Sequence, residues 1–317
     1  MMSDDIETRR CELQQSLDAQ KTQKQRNLMG QFATPYPLAC DIMKRMRQLC
    51  ACGNTISLLE PSVGLGAFLS AFHNVFGNKA GHALGFEIDS HYYEPAKALW
   101  QEQDIDLRNA DFLTVTPDNA YDMIVANPPY VRHHHIDTDT KQSLRNDVKE
   151  YCGINISGLA GLYCHFMILS TKWLREGGLS CWLVPCEFME VNYGKAVKEF
   201  LIHSVELLSI HRFLATDVQF ADALVSSCVV IFRKVRPKTN YQILFSEGGS
   251  VSAPERQMLI DSQTLSVEEK WTSRFNDNTN STETDTGGTT ARLGDFFTVK
   301  RGIATGDNHF FILDSAT

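Results

Sequence analysis

The sequence predicts an α/β protein built on a doubly wound, mostly parallel sheet. From residue 56 onward, short apolar runs alternate with helix-length segments, and turn residues bound the runs. A glycine-rich turn follows the first run and opens a helix, the join at which such sheets receive ligands. ISLLE (56–60) reads as the first strand and AFLSAF (67–72) as the start of a helix. ALGFEI (83–88) is the second strand, with a helix at 91–102 and a short strand near 105–108. DMIVA (122–126) is a buried strand, 162–174 has helical period, and LSCWLVP (179–185) is a strand again. A helix over 192–203 and the runs VELLSIHR and SSCVVIFRK complete a sheet of seven strands.

Outside that core the composition changes. Residues 1–30 are polar, with Ile6, Leu13, Leu17 and Leu28 spaced as on a helix, and Pro37 opens the next helix, through Met46. The main domain is expected over 31–240 and a connector over 241–290. Within it, 274–290 (RFNDNTNSTETDTGGTT) has almost no apolar side chains and reads as a disordered linker. Residues 291–317 regain hydrophobic character and begin a second unit that the sequence does not complete.

With 43% hydrophobic and 21% charged residues among 317, the chain is an ordinary globular mix. It has no run of 18 apolar residues and no apolar core in its first ten, so neither secretion nor membrane insertion is expected. Its nine cysteines contain no CxxC pair, the nearest approaches being Cys50-x-Cys52 and Cys181 with Cys186, and no metal site is expected. Cys164, Cys181 and Cys228 sit in apolar runs, as small hydrophobes do. A net charge of −8 argues against an overall nucleic-acid coating and leaves room for a local cleft.

Four sites carry chemistry. In Glu60-Pro61-Ser62-Val63-Gly64-Leu65-Gly66-Ala67-Phe68-Leu69, two glycines permit a tight turn and close approach of a ligand to a helix N-terminus. The third glycine of a dinucleotide fingerprint is replaced by Leu69, and the acid at the strand end suits a cationic amine better than a pyrophosphate. Glu87 ends the next strand, where a carboxylate can accept both ribose hydroxyls of a nucleoside. Asp111-Phe112 after the third strand offers an acceptor for an adenine amino group and a ring beside it. Asn127-Pro128-Pro129-Tyr130 follows the fourth. Its two prolines fix φ and remove two donors, leaving the Asn127 side-chain oxygen and the Pro128 carbonyl to accept from one amino group, with Tyr130 as a flat face.

This order of parts resembles the amino-methyltransferases that act on DNA, over about residues 30–235. With Phe32-Ala33-Thr34-Pro35 ahead of the glycine turn, it resembles the gamma class of adenine methyltransferases from restriction–modification systems, TaqI-like in type. The resemblance implies a Rossmann-like class I fold, a cytoplasmic bacterial enzyme, S-adenosylmethionine as cofactor and duplex DNA as partner, with a restriction endonuclease or specificity subunit alongside. It places Thr34, Glu60, Ser62, Gly64, Gly66, Glu87, Ile88, Asp111, Phe112, Pro129 and Phe166 around the cofactor and Asn127 to Tyr130 in the catalytic loop. Phe220 takes the position of a ring that stacks on the target base beside Tyr130, and RLGDFFTVKRG resembles the entry to a target-recognition domain.

Two other readings stand beside it. The loop serves planar amino groups in general, so cytosine, RNA guanine and protein glutamine are rival acceptors. A non-catalytic DNA-binding specificity protein could keep the same fold. His133-His134-His135 cannot all face one ion from adjacent positions and reads as a polar lid or DNA-facing loop.

Overall fold

A computed structural model describes residues 4–50, 55–214, 216–217, 219, 226–275 and 296–298. The chain divides into two compact units, Met1–Asn276 and Asp277–Thr317, and only residues 296–298 of the second are described.

The first unit begins with helices α1 (Asp4–Ala19), α2 (Gln23–Met29) and α3 (Tyr36–Leu49). Residues 1–30 therefore hold two helices where one was expected. Thr22 separates them, capping α2 reciprocally with Gln25, and Gly30 ends α2 in the left-handed region. The alternating part follows: β1 (Ile56–Glu60), α4 (Ala67–Phe76), β2 (Ala80–Phe86), α5 (Ser90–Trp100), β3 (Ile105–Arg108) and β4 (Tyr121–Ala126). Then come α6 (Thr138–Cys152), α7 (Leu162–Leu169), β5 (Leu174–Pro185), α8 (Lys195–His203), β6 (Glu206–Arg212), β7 (Ser227–Arg233), β8 (Gln242–Gly249) and β9 (Pro254–Asp261).

The sheet differs from the expected one. Among the described residues it has nine strands in the order β3-β2-β1-β4-β5-β7-β6-β8-β9, and it is mixed. Strands β3 through β5 are parallel, β7 is antiparallel to both β5 and β6, β8 is parallel to β6 and β9 antiparallel to β8. The two additional strands lie where a connector was expected. β8 buries Ile243 and Phe245, which adds it to the core, while β9 is a largely exposed edge whose polar residues hide the strand period. The linker expected from 274 also starts too early, because Arg274 bonds Glu269 and the Phe275 ring lies 5.3 Å from Phe245 in the core. The rest of that linker and the recognition-domain entry, apart from 296–298, lie outside the described residues.

Both faces of the sheet are covered. Alternate residues of β4 point to different cores: Ile124 and Ala126 pack with α6, α7 and α8, while Met123 and Val125 pack with α3, α4 and α5. A strand buried on both faces reads as continuous apolar sequence, which is why DMIVA was legible. The chain steps from β1 outward to β3, then returns to place β4 on the other side of β1. That reversal opens a crevice at the carboxyl ends of the central strands.

Candidate cofactor cavity and catalytic loop

The crevice is a cavity of about 210 Å³ lined by the ends of β1, β2, β3 and β4 and by the segment before α3. Of the sequence-predicted residues, Thr34, Glu60, Ser62, Gly64, Glu87, Ile88, Asp111, Phe112, Asn127, Pro129 and Phe166 line it. Gly66 does not. It holds the left-handed turn into α4 at φ 81°, and a Cβ there would come within 2.8 Å of Trp100 Nε1, so the glycine serves helix packing. Pro128 is buried behind the lining. Phe220 lies outside the described residues.

Two buried acids dominate the cavity's electrostatics. Glu60 is 2% exposed, and its Oε2 is buried with no hydrogen-bond partner among the described residues. Burial pushes its carboxyl well up, only partly opposed by the buried Arg10 of α1 and the Leu69 N–H, and the neighbouring Glu87 raises it further. Glu87 accepts from Gly64 N at 2.9 Å and Asp89 N at 2.8 Å, and burial raises its carboxyl too. The glycine turn of β1 is thus strapped to the end of β2. Asp111 accepts from Leu113 N at 3.0 Å and so fixes the turn that presents Phe112, whose ring stacks at 5.7 Å on Phe166.

At the end of β4 the residues of the candidate catalytic loop are held from two sides. Ser62 Oγ donates to the Asn127 carbonyl at 3.0 Å. Asn127 Nδ2 donates to the Phe32 carbonyl at 2.8 Å and to Thr34 Oγ1 at 3.2 Å. A backbone carbonyl accepts and never donates, so this pairing fixes which end of the amide is nitrogen. Asn127 Oδ1 is left buried with no partner among the described residues. The Tyr130 hydroxyl donates to the Leu183 carbonyl at 3.1 Å, which sets the plane of its ring, and burial pushes its pKa well up.

The Eco57I restriction-modification methylase family model matches residues 38–220. The chain belongs to this family. Among relatives, type II methyltransferase M.AccI of Acinetobacter calcoaceticus is 30% identical over 210 residues, 65% of this chain and 37% of that protein. M.XamI of Xanthomonas campestris pv. amaranthicola is 25% identical over 295 residues, 89% of this chain and 53% of that one. This family member thus spans between 37% and 53% of the length of those two relatives. A protein of Listeria monocytogenes described as a class I S-adenosylmethionine-dependent methyltransferase shares the fold. Its TM-score is 0.57 at 18% identity, covering 70% of this chain and 67% of that one. The methyltransferase subunit of a type I restriction-modification system from Streptococcus thermophilus gives 0.56 at 16% identity, covering 68% and 47%. The fold is that of the class I methyltransferases.

Sequence reading missed the cavity's outer wall, to which Gln14, Asp18, Met29, Gly30, Gln31 and Tyr92 contribute. Asp18 accepts from Gln14 at 2.9 Å and from the Tyr92 hydroxyl at 2.8 Å. Lys21 pairs with Asp89, to which Gln31 also donates at 2.8 Å. Burial pushes the Asp89 carboxyl up, but the bonds from Lys21 and Gln31 outweigh it and leave it below the usual carboxylate range. Only the capping pattern at Thr22 hinted that 1–30 was more than a surface helix. His133–His135 form a 3-10 turn just past the loop, and among the described residues no cluster of three potential metal ligands occurs.

Proposed function

We propose that this chain is the catalytic part of a restriction–modification DNA methyltransferase that methylates the exocyclic amino group of adenine. The observation that carries the reading is the Asn127 amide, whose donors are engaged by Phe32 and Thr34 and whose buried oxygen is unpartnered among the described residues. An unpartnered buried acceptor beside a cavity is matched by an N–H donor from outside the protein.

The cavity fits S-adenosylmethionine. Two buried carboxyls in one cavity are disfavoured as anions until a cation arrives, and this cofactor carries two positive centres. Glu60 takes the ammonium group, Glu87 the ribose hydroxyls, and Asp111 the adenine amino group beside Phe112 and Phe166. Thr34, Ser62, Gly64, Ile88 and Pro129 complete the wall. When bound, the cofactor supplies an electrophilic methyl group on sulfur.

The residues then have distinct tasks. Asn127 Oδ1 and the Pro128 carbonyl accept the two N–H bonds of the target amine and hold its lone pair out of conjugation. As positive charge develops on that nitrogen, both oxygens stabilise it more than in the ground state. Tyr130, with Phe220, flanks the adenine once it is turned out of the duplex. The names of the relatives, type II methyltransferases, support DNA as substrate, and a restriction endonuclease or specificity subunit as partner belongs to the same proposal.

The same loop suits the amino groups of cytosine, RNA guanine and glutamine. Tritiated methyl transfer from S-adenosylmethionine to DNA, RNA and protein, run in parallel, decides among them. Label on adenine in DNA is expected. Label on another acceptor changes the substrate, and cofactor binding without transfer to any acceptor favours a non-catalytic DNA-binding role.

A further inference from the structure

Segment 30–34 touches the catalytic loop in a way that cofactor binding does not require. Gly30 accepts from Tyr130 N at 3.2 Å, and the Phe32 and Tyr130 rings lie 5.7 Å apart. Gly30 sits at φ 63°, and a Cβ there would lie 2.3 Å from Tyr130 N and 2.8 Å from Tyr130 C, both backbone atoms that cannot swing aside. Phe32 and Thr34 receive the two bonds from Asn127 Nδ2. Each residue of the segment also lines the cavity, and Gln31 ties it to Asp89 beside the end of β2.

A primary amide has a nearly symmetric outline, and rotating it by half a turn exchanges an acceptor for two donors. In that second orientation Asn127 would turn N–H groups toward the amine it is read as accepting from, and would leave the Phe32 carbonyl facing an oxygen. We propose that Gly30–Thr34 is a positioning element that fixes which end of the Asn127 amide faces the substrate. This rests on the reading of Asn127 as an acceptor. Phe32 supplies the acceptor that forbids the flip, and Thr34 seconds it. Gly30 allows the backbone approach that brings both to the loop.

The test uses the full chain and has two arms. In the first, side-chain amide signals of the 15N-labelled protein are recorded, with Asn127 assigned by its loss in Asn127→Asp. A signal protected from solvent exchange is expected. In Thr34→Val it should shift and exchange faster, and Thr34→Ser, which keeps the hydroxyl, should restore it. An Asn127 amide exchanging as a free side chain overturns the proposal, and this arm needs no activity. In the second arm, Thr34→Val should lower kcat about tenfold with substrate KM unchanged. Gly30→Ala should lower it on the order of 10²-fold, as displaced reacting groups do. At saturating cofactor, Thr34→Val in an Asn127→Ala background should cost nothing more. An equal loss in both backgrounds makes Thr34 merely structural and overturns the proposal. Absence of transfer by the native chain to any acceptor counts against the functional reading alone, and the amide signals then decide the geometry.

Discussion

Asn127 concentrates the argument at the scale of single residues. Its oxygen has no partner among the described residues, so removing the side chain should spare cofactor binding and remove one stabilising contact from the transition state. For Asn127→Ala, cofactor affinity by calorimetry should stay near native while methyl transfer falls at least about 10²-fold. A native rate would sink the mechanism. Glu60 gives the second expectation. Burial raises its carboxyl, so the empty site keeps a proton to higher pH than a free carboxyl does, and a cationic ligand must displace it. Cofactor affinity should therefore fall as pH falls, and binding should release protons, seen as heats that vary with the ionisation enthalpy of the buffer. In Glu60→Gln both effects should shrink to the share that Glu87 supplies. These residues were legible because each chemical group stands beside its own turn signal: Glu60 before the glycines, Asn127 before the prolines. The role of Gly30 was not, because the close approach that leaves no room for a Cβ comes from Tyr130, a residue far along the chain.

At the scale of elements, most strands that bury a full face were readable, although β8, which buries Ile243 and Phe245, was not, and neither was the edge strand β9. β4 and β5 announce themselves as apolar runs, whereas β9 buries none of its residues; α1, which buries mainly Arg10 and Leu17, was readable as a helix, but its separation from α2 was not. The N-terminal helices hold their place through polar bonds to α5 and its cap: His91 with the Leu17 carbonyl, Tyr92 with Asp18, and Asp89 with Lys21 and Gln31. Asp89 also caps α5 through His91 N at 3.0 Å. Asp89→Ala should cost about 1 kcal/mol for the cap and lower the melting temperature by a few degrees, on the order of 2–6 °C. It should weaken cofactor binding as well. Lys21→Ala keeps the cap and should show the binding loss with less of the thermal one. If neither variant changes affinity in calorimetry, α2 is no part of the cavity wall in solution.

Over the whole molecule, the mixed half of the sheet carries a pH dependence of its own. His165 and His211 are each 2% exposed, and burial brings both imidazoles down to about 4. In the unfolded chain they take protons near pH 6.5, so between those values the unfolded state binds more protons and stability falls as pH falls. The buried Glu60 and Glu87 act with the opposite sign, being raised, so the imidazole share is read by difference. As pH goes from 6.5 to 4.5, the melting temperature of His211→Asn should rise relative to that of the native chain; parallel curves would overturn the assignment to His211. The outer wall of the cavity has another consequence, in the order in which the chain is made. α1 and α2 leave the ribosome before the sheet, yet their partners Asp89, His91 and Tyr92 follow only after β2. At roughly 5–20 residues per second the nascent helices wait several seconds with Leu17 uncovered. The outer wall can thus close on a half-built sheet, before β4 and the loop that completes the cavity have been synthesised.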